Sequence, residues 1–340
     1  MTDLPAPPRP LLGRGERAPD FALPRADGVP ARFYALAGGR PAVLVLCPGL
    51  DAPQAAAAGE AVRAAVGEAS SVHVVARAPG APPHDGPSPT LLLDSGGQVS
   101  ASYRVAEGDT VTYVLDANLR VLDATPQAPA TDWIRRTLAA AGQAPAEGEV
   151  TVQAPVLYIP RVLDDAICAS LVDVWETQGN TDTGVERSAE GRRSDALNPA
   201  AKRRRDHTVT DPDLLRRLTG TVGRRVMPEL RKAFAYRATR FEGFKIACYD
   251  ADRGGFFTAH RDNLSPTTAH RRFALTLNLN AGYDGGHLRF SEYSAQRYRP
   301  AAGEALVFSC SHLHEVLPVT RGRRFVLLSF LFGEEQARTT

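Results

Sequence analysis

Residues 245–263 read KIACYDADRGGFFTAHRDN, and this stretch decides the fold of the C-terminal part of the chain. It holds two strand-like runs, Lys245–Tyr249 and Phe256–His260, with two adjacent glycines between them. Short apolar runs broken by glycine are typical of neighbouring β-strands. Residues two apart on a strand project to the same face, so His260 and Asp262 are predicted to point into one cavity.

Short strands continue almost to the end of the chain, and they are predicted at Phe273–Leu279, His287–Phe290, Ala305–Ser309 and Phe325–Phe332. Two amphipathic helices come before them, at Leu163–Thr177 and Asp211–Ala235. Closely spaced strands with turns predict a β-sandwich or barrel. Helices that precede the strands are expected to lie on the outside of that β-core.

A third metal ligand is available at His314, in the stretch SHLHEV at 311–316. His312 lies two residues earlier and is a competing candidate for the same role. Two histidines and one carboxylate on one face of an octahedron leave three positions open, which suits non-haem Fe(II). The pattern therefore predicts a metal site formed by His260, Asp262 and one histidine of this stretch.

Arg324 follows His314 by ten residues and stands at the start of the most apolar strand of the chain. A strand interior rarely accepts a charge without a partner, so this guanidinium is predicted to face inward beside the third ligand. Its planar fork suits a two-point contact with a dicarboxylate. Arg321 and Arg323 are instead predicted to form a solvated turn.

The composition limits the class of protein. Among 340 residues, 40 Lys and Arg face 38 Asp and Glu, and this formal charge of +2 argues against nucleic acid as a partner. No apolar run approaches the roughly 20 residues that cross a bilayer, and the N-terminus lacks a signal-peptide pattern. Four cysteines without a CxxC pair indicate neither a disulfide scaffold nor a zinc site. We expect a cytoplasmic protein that binds no membrane.

The N-terminal part has the pattern of a separate α/β domain. Ala42–Cys47 is a continuous apolar run, typical of a strand buried in a sheet, and an alanine-rich helix follows at Pro53–Glu68. Further elements are predicted at Val72–Ala76, Thr90–Leu93, Thr112–Leu115, Val121–Ala124 and, as a helix, Thr131–Ala141. The stretch AAAGQAPAEG at 139–148, which is rich in small and turn-forming residues, then marks a domain boundary. The predicted divisions are a flexible arm (1–12), a first domain (13–142), a linker (143–153) and a second domain (154–336).

The second domain resembles the prolyl-hydroxylase-like family of 2-oxoglutarate and Fe(II)-dependent dioxygenases. Three stretches carry the resemblance: IACYDADRGGFFTAHRDN, FALTLNLNAGYDGGHLRF and YRPAAGEALVFSCSHLHEVLPVTRGRRF. It extends over about Val156–Glu334 in organisation and is densest from Lys245 to Phe332. The resemblance implies a double-stranded β-helix, or jelly roll, with supporting helices. It also implies Fe(II), 2-oxoglutarate and O₂ as cofactor and cosubstrates, with ascorbate as a supporting reductant.

The family's site residues can be placed by position on this sequence. The residues that the resemblance assigns to iron are His260, Asp262 and His314, and it is His314 rather than His312 that keeps the family's spacing to Arg324. Arg324 would hold the distal carboxylate of 2-oxoglutarate. Tyr249 matches a tyrosine that lines the cosubstrate pocket in some relatives, with a core aromatic as the alternative. Asn278 falls where some relatives place a second cosubstrate-contacting tyrosine.

Other features of the second domain have local interpretations. Arg187–Asp206 is charged and loop-like, where family members often place a mobile flap. Its run Lys202–Arg205 either attracts an acidic substrate or forms a solvated face, and we favour the solvated face. Gly285-Gly286 is predicted to form a tight turn with positive φ. His270 is predicted to lie on the surface.

The first domain resembles peroxiredoxins, which have a thioredoxin-like fold, over about Gly13–Ala140. The stretches are GERAPDFALPRADGVPARFYALAGGRPAVLVLCPG, LLLDSGGQVSASYRV and TYVLDANLRVLDA. The peroxidatic cysteine of that family would stand about seven residues past Pro48, where Ala55 lies. Cys47 is in the apolar strand, where burial disfavours a thiolate. We therefore predict a redox-silent module for docking, dimerisation or substrate presentation.

The sequence as a whole predicts an α+β protein of two domains that acts as an Fe(II)- and 2-oxoglutarate-dependent dioxygenase. Its substrate would be a peptide or protein side chain, with proline as one candidate, or a small metabolite. Succinate and CO₂ would be the coproducts. Two other hypotheses remain open at this point: a thiol peroxidase or redox sensor that uses Cys47, and a binding scaffold without catalysis.

Overall fold

The computed structural model describes residues 10–334 apart from 26, 38, 67–69, 78–88, 127–129, 141–147 and 190–191, and only the backbone of 185–189 and 192–196. The chain forms two compact units, Met1–Glu147 and Gly148–Thr340. Most of the predicted arm (1–9) and part of the predicted linker (143–147) lie outside the described residues. Leu12 is buried in the core of the first unit, so the arm is not loose along its whole predicted length.

The first unit is built on one mixed sheet. Its helices are α1 (Phe33–Ala37), α2 (Ala52–Val66), α3 (Gln98–Ser102) and α4 (Thr131–Ala139). Its strands are β1 (Ala22–Pro24), β2 (Pro30–Arg32), β3 (Ala42–Cys47), β4 (Ser71–Ala76), β5 (Thr90–Leu93), β6 (Val111–Leu115) and β7 (Val121–Thr125). The five-stranded sheet has the order β5-β4-β3-β6-β7, and β1 pairs with β2 separately. β3 runs parallel to β4 and antiparallel to β6.

The continuous apolar run predicted at Ala42–Cys47 is confirmed as a buried strand. All six residues of β3 are buried, because both faces of the sheet are covered. Leu44 and Leu46 belong to the core on one face, and Val43, Val45 and Cys47 belong to the core on the other, with residues of α2 and α4. The Cys47 Sγ donates to the backbone oxygen of Val75 at 3.4 Å.

His73 on β4 gives the first unit a measurable pH dependence. Its side chain is buried against the edge of Phe33, and neither ring nitrogen has a hydrogen-bond partner among the described residues. Burial, aided by the charges of Arg40 and Arg63, lowers the pKa of His73 from 6.5 to about 4. The unfolded chain therefore takes up a proton first as the pH falls. We expect unfolding free energy to drop by about 3 kcal/mol between pH 6.5 and pH 4 from this residue.

Urea unfolding of the full chain and of His73→Leu at pH 7 and pH 4 measures this contribution. The variant should lose about 3 kcal/mol less than the wild type on acidification. Equal losses in the two proteins would show that His73 does not titrate as its burial requires.

The second unit begins with helices and continues as two sheets. Its helices are α5 (Asp165–Thr177), α6 (Pro212–Arg225) and α7 (Met227–Phe234), and a 3-10 turn covers Ala251–Arg253. Its strands are β8 (Val156–Ile159), β9 (Thr181–Asp182), β10 (Val185–Ala189), β11 (Arg192–Ala196), β12 (Lys202–Arg203), β13 (Arg205–Thr208), β14 (Arg240–Phe241), β15 (Lys245–Asp250), β16 (Phe256–His260), β17 (Phe273–Asn278), β18 (Asp284–Gly285), β19 (Leu288–Arg289), β20 (Arg297–Tyr298), β21 (Ala305–Ser309), β22 (His314–Val316), β23 (Val319–Arg321) and β24 (Arg323–Phe332).

These strands form a large and a small antiparallel sheet. The large sheet has the order β8-β21-β17-β24-β15-β13-β9, with β14 added beside β24. The small sheet has the order β12-β16-β22-β19-β20, while β10 with β11 and β18 with β23 form separate pairs. The result is a sheet-rich, jelly-roll-like core. No helix in the described part of the chain is long and apolar enough to span a membrane.

The prediction of a single helix over Asp211–Ala235 is wrong, because α6 ends at Arg225 and a second helix, α7, begins at Met227. Pro228 explains the break: it has no N–H to donate, and its ring would collide with the carbonyl four residues earlier. The start at Asp211 is right, since its carboxylate accepts a hydrogen bond from the Leu214 N–H at 2.7 Å.

Strand β24 separates the two cores of this unit. Phe325, Leu327 and Leu331 lie in the core that includes residues of α5, α6 and α7. Val326, with Leu328 and Phe330 packed beside it, lies in the other core, which residues of the small sheet share. The alternation follows from the two-residue period of a strand. Arg324 therefore lies on the same face as Val326, the face that the small sheet covers, which we call the inner face.

Candidate active site

The structure brings together the three residues predicted to bind metal. His260 ends β16 and lies opposite His314, the first residue of β22, while Asp262 lies just past the end of β16. The Nε2 atoms of His260 and His314 lie 3.5 and 3.4 Å from the two carboxylate oxygens of Asp262. One potential metal-ligand atom from each residue lies within 4.8 Å of those of the other two. We call these residues the His–Asp–His trio.

Asp262 is not part of the strand, in contrast to the prediction that His260 and Asp262 share one face of it. The chain leaves β16 at His260, and the Asp262 N–H donates to the backbone oxygen of Cys310 at 2.9 Å. The Arg271 Nη1 donates to the Asp262 backbone oxygen at 3.3 Å. These two contacts hold the turn so that the carboxylate still faces both imidazoles.

Backbone carbonyls fix the orientation of both imidazoles. The Nδ1 of His260 lies 2.8 Å from the Thr258 oxygen, and the Nδ1 of His314 lies 3.0 Å from the His312 oxygen. Because a carbonyl only accepts, each Nδ1 carries the hydrogen, and each Nε2 keeps its lone pair for a metal. Sequence could not identify these contacts, since they depend on the local path of the backbone.

His312, the competing candidate, does not join the trio. Its Nδ1 lies 3.0 Å from the Tyr293 hydroxyl, and the two rings meet edge to face. Its backbone oxygen instead orients His314. The structure therefore separates the two histidines of SHLHEV into one that faces Asp262 and one that supports it.

The pKa shifts of Asp262 and His314 fit a site for a divalent metal. Burial alone would raise the pKa of Asp262, but His314 and His260 lower it from 3.8 to about 2. Burial lowers the pKa of His314 below its ordinary value. An ionised carboxylate and neutral imidazoles are the forms that bind metal, and a set of two histidines and one carboxylate suits Fe(II) with open positions.

Arg324 lies in the same cavity as the trio. It is 2% exposed, stands opposite Tyr249 on the neighbouring β15, and has its guanidinium carbon 5.6 Å from the centre of that ring. No carboxylate in the described ranges pairs with it. A buried cation without an anion is costly, so this position fits an anionic ligand. Arg321 and Arg323 are exposed and pair with Asp284 and Glu176, as predicted for a solvated turn.

The Gly285-Gly286 turn supports Arg324 directly. Both glycines have positive φ, 73° and 63°, which confirms the predicted tight turn. A Cβ on Gly286 would lie 2.9 Å from the Val319 Cγ2 and 3.0 Å from the Arg324 Cδ. Only glycine therefore accommodates both the backbone conformation and the arginine side chain.

Gly286→Ala should lower the unfolding free energy by about 1–3 kcal/mol, because it adds backbone strain and a close contact. It should also weaken binding of a carboxylate at Arg324. Gly282→Ala is the matched control, since Gly282 does not have positive φ and a Cβ there meets nothing within 4 Å. Urea unfolding measures both variants, and equal stability in the two would contradict this account.

Tyr249 lines the cavity and is also part of the core. Its side chain is 2% exposed, and its hydroxyl accepts from the Arg204 Nη1 at 3.3 Å. Arg204 also makes two hydrogen bonds, of 2.7 and 2.6 Å, to the carboxylate of Asp206. The two alternatives for this tyrosine are thus compatible: it is a core aromatic whose hydroxyl reaches the cavity wall.

Asn278 is not among the residues that line the cavity, so the structure adds no support to its predicted role as a cosubstrate contact. Its Nδ2 donates to the Asn280 oxygen at 2.8 Å, and its Oδ1 accepts from the Tyr283 hydroxyl at 3.1 Å. Both polar atoms of this buried side chain are therefore hydrogen-bonded to the segment that follows β17. The residues of β17 that reach the cavity lie earlier in the strand, at Ala274, Leu275 and Thr276.

The cavity has a volume of about 620 Å³, and its wall includes three charged residues that the sequence did not single out, Glu242, Lys245 and Arg271. Apolar side chains line much of it, among them Phe257, Leu288, Phe308, Val316, Val326, Leu328 and Phe330. The charged residues of its wall, besides Asp262 and Arg324, are Lys202, Arg204, Glu242, Lys245, Arg261 and Arg271. Lys202 and Arg204 do not form the solvated face that we favoured for their run. Lys245 could have been predicted to line the cavity, because it lies four residues before Tyr249 on the same strand and therefore on the same face.

Glu242, Arg271 and His270 form one largely buried cluster, and Glu242 and Arg271 line the same cavity as the trio. The Arg271 Nε and Nη2 donate to the two oxygens of Glu242 at 2.9 and 2.8 Å, and the His270 Nε2 lies 2.5 Å from one of them. Burial would raise the pKa of Glu242, but Arg271 and His270 hold it below its usual value. The His270 side chain is 8% exposed, so the predicted surface position is wrong.

Residues 244–332 match the 2OG-Fe(II) oxygenase superfamily. This segment contains the His–Asp–His trio and Arg324, so fold and site together define a 2OG-Fe(II) oxygenase domain in the second unit.

Curated relatives are PKHD-type hydroxylases. One from Synechococcus sp. (strain JA-2-3B'a(2-13)) is 33% identical over 104 residues, which is 28% of this chain and 46% of the relative. Another from Burkholderia lata is 29% identical over 200 residues, which is 54% of this chain and 79% of the relative. The chain spans about half the length of the cyanobacterial relatives that it matches.

Two solved structures are also similar. One is a prolyl hydroxylase from Trichoplax adhaerens in complex with a peptide fragment of hypoxia inducible factor, with 17% identity, a TM-score of 0.45 and coverage of 54% of this chain and 85% of that one. The other is a Pseudomonas putida prolyl-4-hydroxylase, with 19% identity, a TM-score of 0.39 and coverage of 53% and 94%.

Proposed function

We propose that this protein is an Fe(II)- and 2-oxoglutarate-dependent dioxygenase that hydroxylates a C–H bond. The observation that carries the proposal is the convergence of the His–Asp–His trio with the buried Arg324 in one cavity. The match of residues 244–332 to the 2OG-Fe(II) oxygenase superfamily supports it. Succinate and CO₂ are the expected coproducts.

Each group of the cavity then has a task. The trio holds Fe(II), which supplies the activation of O₂ when bound. Arg324 binds and orients the distal carboxylate of 2-oxoglutarate, with Tyr249 beside it. The apolar wall, which includes Phe257 and Phe308, excludes water from the reacting groups. The carbonyls of Thr258 and His312 keep the two imidazoles in their metal-binding tautomer.

The substrate classes consistent with this proposal are a peptide or protein side chain and a small metabolite. We favour the former, with proline as one target, because the second unit resembles the prolyl-hydroxylase-like family over the stretches quoted above. The cavity volume of about 620 Å³ is within the usual range for a small-molecule site and also accommodates a single side chain.

We further propose that the first unit is a peroxiredoxin-like module with a thioredoxin-like fold and no peroxidase chemistry. The parallel strands β3 and β4 joined through α2, followed by the antiparallel β6 and β7, support this fold. Burial raises the pKa of the Cys47 thiol to about 11, so little thiolate exists at neutral pH. Docking of a partner, dimerisation or substrate presentation is the remaining role for such a module.

Incubation of the full chain with Fe(II), ascorbate, 2-oxoglutarate and cell extract tests the main proposal. We expect succinate to form and one component of the extract to gain one oxygen by mass spectrometry. Asp262→Ala should do neither. If the iron-loaded wild type consumes no 2-oxoglutarate but reduces hydrogen peroxide, and Cys47→Ser abolishes that reduction, the thiol peroxidase hypothesis replaces ours.

A further inference from the structure

The cations of the cavity wall differ in whether they are already neutralised. Three arginines are paired: Arg204 with Asp206, Arg261 with Glu292 and Arg271 with Glu242. Lys245 and Arg324 have no carboxylate partner within the part of the chain that the structure describes. The positive charges of Lys245 and Arg324 are therefore not balanced by any carboxylate in the described part of the chain.

The chain uses lysine sparingly, and it places lysine in this cavity. Only three of its 40 basic residues are lysines, at positions 202, 232 and 245. Lys202 and Lys245 both line the cavity. The Lys202 Nζ donates to the Gly184 oxygen at 2.9 Å and lies 5.1 Å from the centre of the Phe257 ring, which stacks on His260. An ammonium on a flexible stem adapts to an anion of variable position better than the planar guanidinium does.

Lys245 is too far along its strand to share the anion of Arg324. Tyr249 on β15 lies opposite Arg324, whereas Lys245 lies opposite Leu328, four residues further along β24. At about 3.3 Å per residue, these two cross-strand pairs are about 13 Å apart along the strands. If Arg324 holds 2-oxoglutarate, Lys245 faces a different ligand in the same cavity.

The one acidic side chain at this end of the cavity does not neutralise Lys245. Glu242 follows the same strand pair, since its N–H donates to the Phe330 oxygen. Both of its carboxylate oxygens accept from Arg271, and one also contacts His270. The neighbours of Lys245 across the inner face of the sheet are Leu328 and Thr276, neither of which carries charge.

We propose that the primary substrate carries a carboxylate, which Lys245 binds while the reacting carbon lies near the His–Asp–His trio. The acid is either a free small molecule or the Asp or Glu side chain of a peptide, since both present the same chemistry to an ammonium. This inference rests on the proposed function, because it assigns Arg324 to 2-oxoglutarate and leaves Lys245 for the substrate.

The test uses the full chain loaded with Mn(II) and 2-oxoglutarate, so that no turnover occurs and the Arg324 position is filled. Calorimetric titrations compare the α-amide of N-acetyl-L-glutamate with the α-amide of N-acetyl-L-glutamine, and the α-amide of N-acetyl-L-aspartate with the α-amide of N-acetyl-L-asparagine, so that the controls carry no carboxylate. A second arm compares blocked pentapeptides with a central Glu or Asp with their Gln or Asn counterparts. We expect the acid to bind at least about tenfold more tightly than its amide in one of the two arms, which also identifies the source of the carboxylate.

Three variants assign this preference to Lys245. Lys245→Met should remove the difference between acid and amide and leave 2-oxoglutarate affinity unchanged, whereas Lys245→Arg should keep it. Lys232→Met is the matched control, since Lys232 is exposed on α7 and does not line the cavity. If Lys245→Met proves unstable, Lys245→Arg still tests the proposal, because it keeps the positive charge and should therefore keep the preference for the acid.

The outcomes separate this inference from the function on which it rests. If the loaded complex forms but acids and amides bind equally, or neither binds, the carboxylate proposal is wrong and the oxygenase proposal stands. The same holds if Lys245→Met retains the preference. A chain that binds neither Mn(II) nor 2-oxoglutarate overturns the proposed function and this inference with it.

Discussion

Replacing His314 with alanine should lower the metal affinity of the protein by more than about 100-fold and abolish 2-oxoglutarate turnover. The substitution removes one of three ligands and leaves only His260 and Asp262 to bind the ion. Even the loss of a residue that only hydrogen-bonds to a ligand lowers metal affinity about 10- to 100-fold. Metal analysis after dialysis and succinate release measure the two effects.

His312→Ala is the matched control for this experiment. It removes a histidine two residues away that contacts Tyr293 instead of Asp262. We expect this variant to retain metal and most of the turnover. If His312→Ala loses metal and His314→Ala keeps it, the two histidines have been assigned in the wrong order.

Replacing Arg324 with methionine should raise the apparent KM for 2-oxoglutarate by about 30- to 150-fold, because about 2–3 kcal/mol of charge-assisted hydrogen bonding is lost. Metal binding should change little, since Arg324 is not one of the trio. Methionine keeps much of the apolar contact of the arginine stem and so limits the loss of stability.

Arg321→Met makes the same chemical change three residues away. Arg321 is exposed and pairs with Asp284 at 2.6 Å, so its loss should leave the KM for 2-oxoglutarate unchanged. An equal effect of the two variants on KM would mean that Arg324 does not contact the cosubstrate.

Much of the site could be predicted because it is encoded locally. The two-residue period of strands and the glycine turns placed β15, β16 and β24 close to their observed bounds. The order and spacing of His260, Asp262, His314 and Arg324 then indicated the constellation that the structure brings together. The prediction worked for Asp262 although its reason was incomplete, since a turn, rather than the strand, presents its carboxylate.

The rest depended on contacts between residues far apart in the chain. Arg204 reaches Tyr249 only after β13 has paired with β15, and Arg271 reaches Glu242 only after β14 and β17 have both paired with β24. No local pattern therefore distinguishes these arginines from solvated ones. The partners of Asn278 were unpredictable for a related reason: its place at the end of the strand was right, but Tyr283 and the Asn280 backbone contact its polar atoms. The break between α6 and α7 is different, since Pro228 marks it in the sequence itself.

The central claim is that one ferrous ion binds between two imidazoles and one carboxylate in the second unit. Anaerobic equilibrium dialysis of the full chain against Fe(II), with 2-oxoglutarate present, tests it most directly. The comparison is with a chain in which His260, Asp262 and His314 are all replaced by alanine and whose folding is checked by circular dichroism. We predict one iron per chain for the wild type and none for the variant, and equal iron uptake by the two proteins would contradict the account.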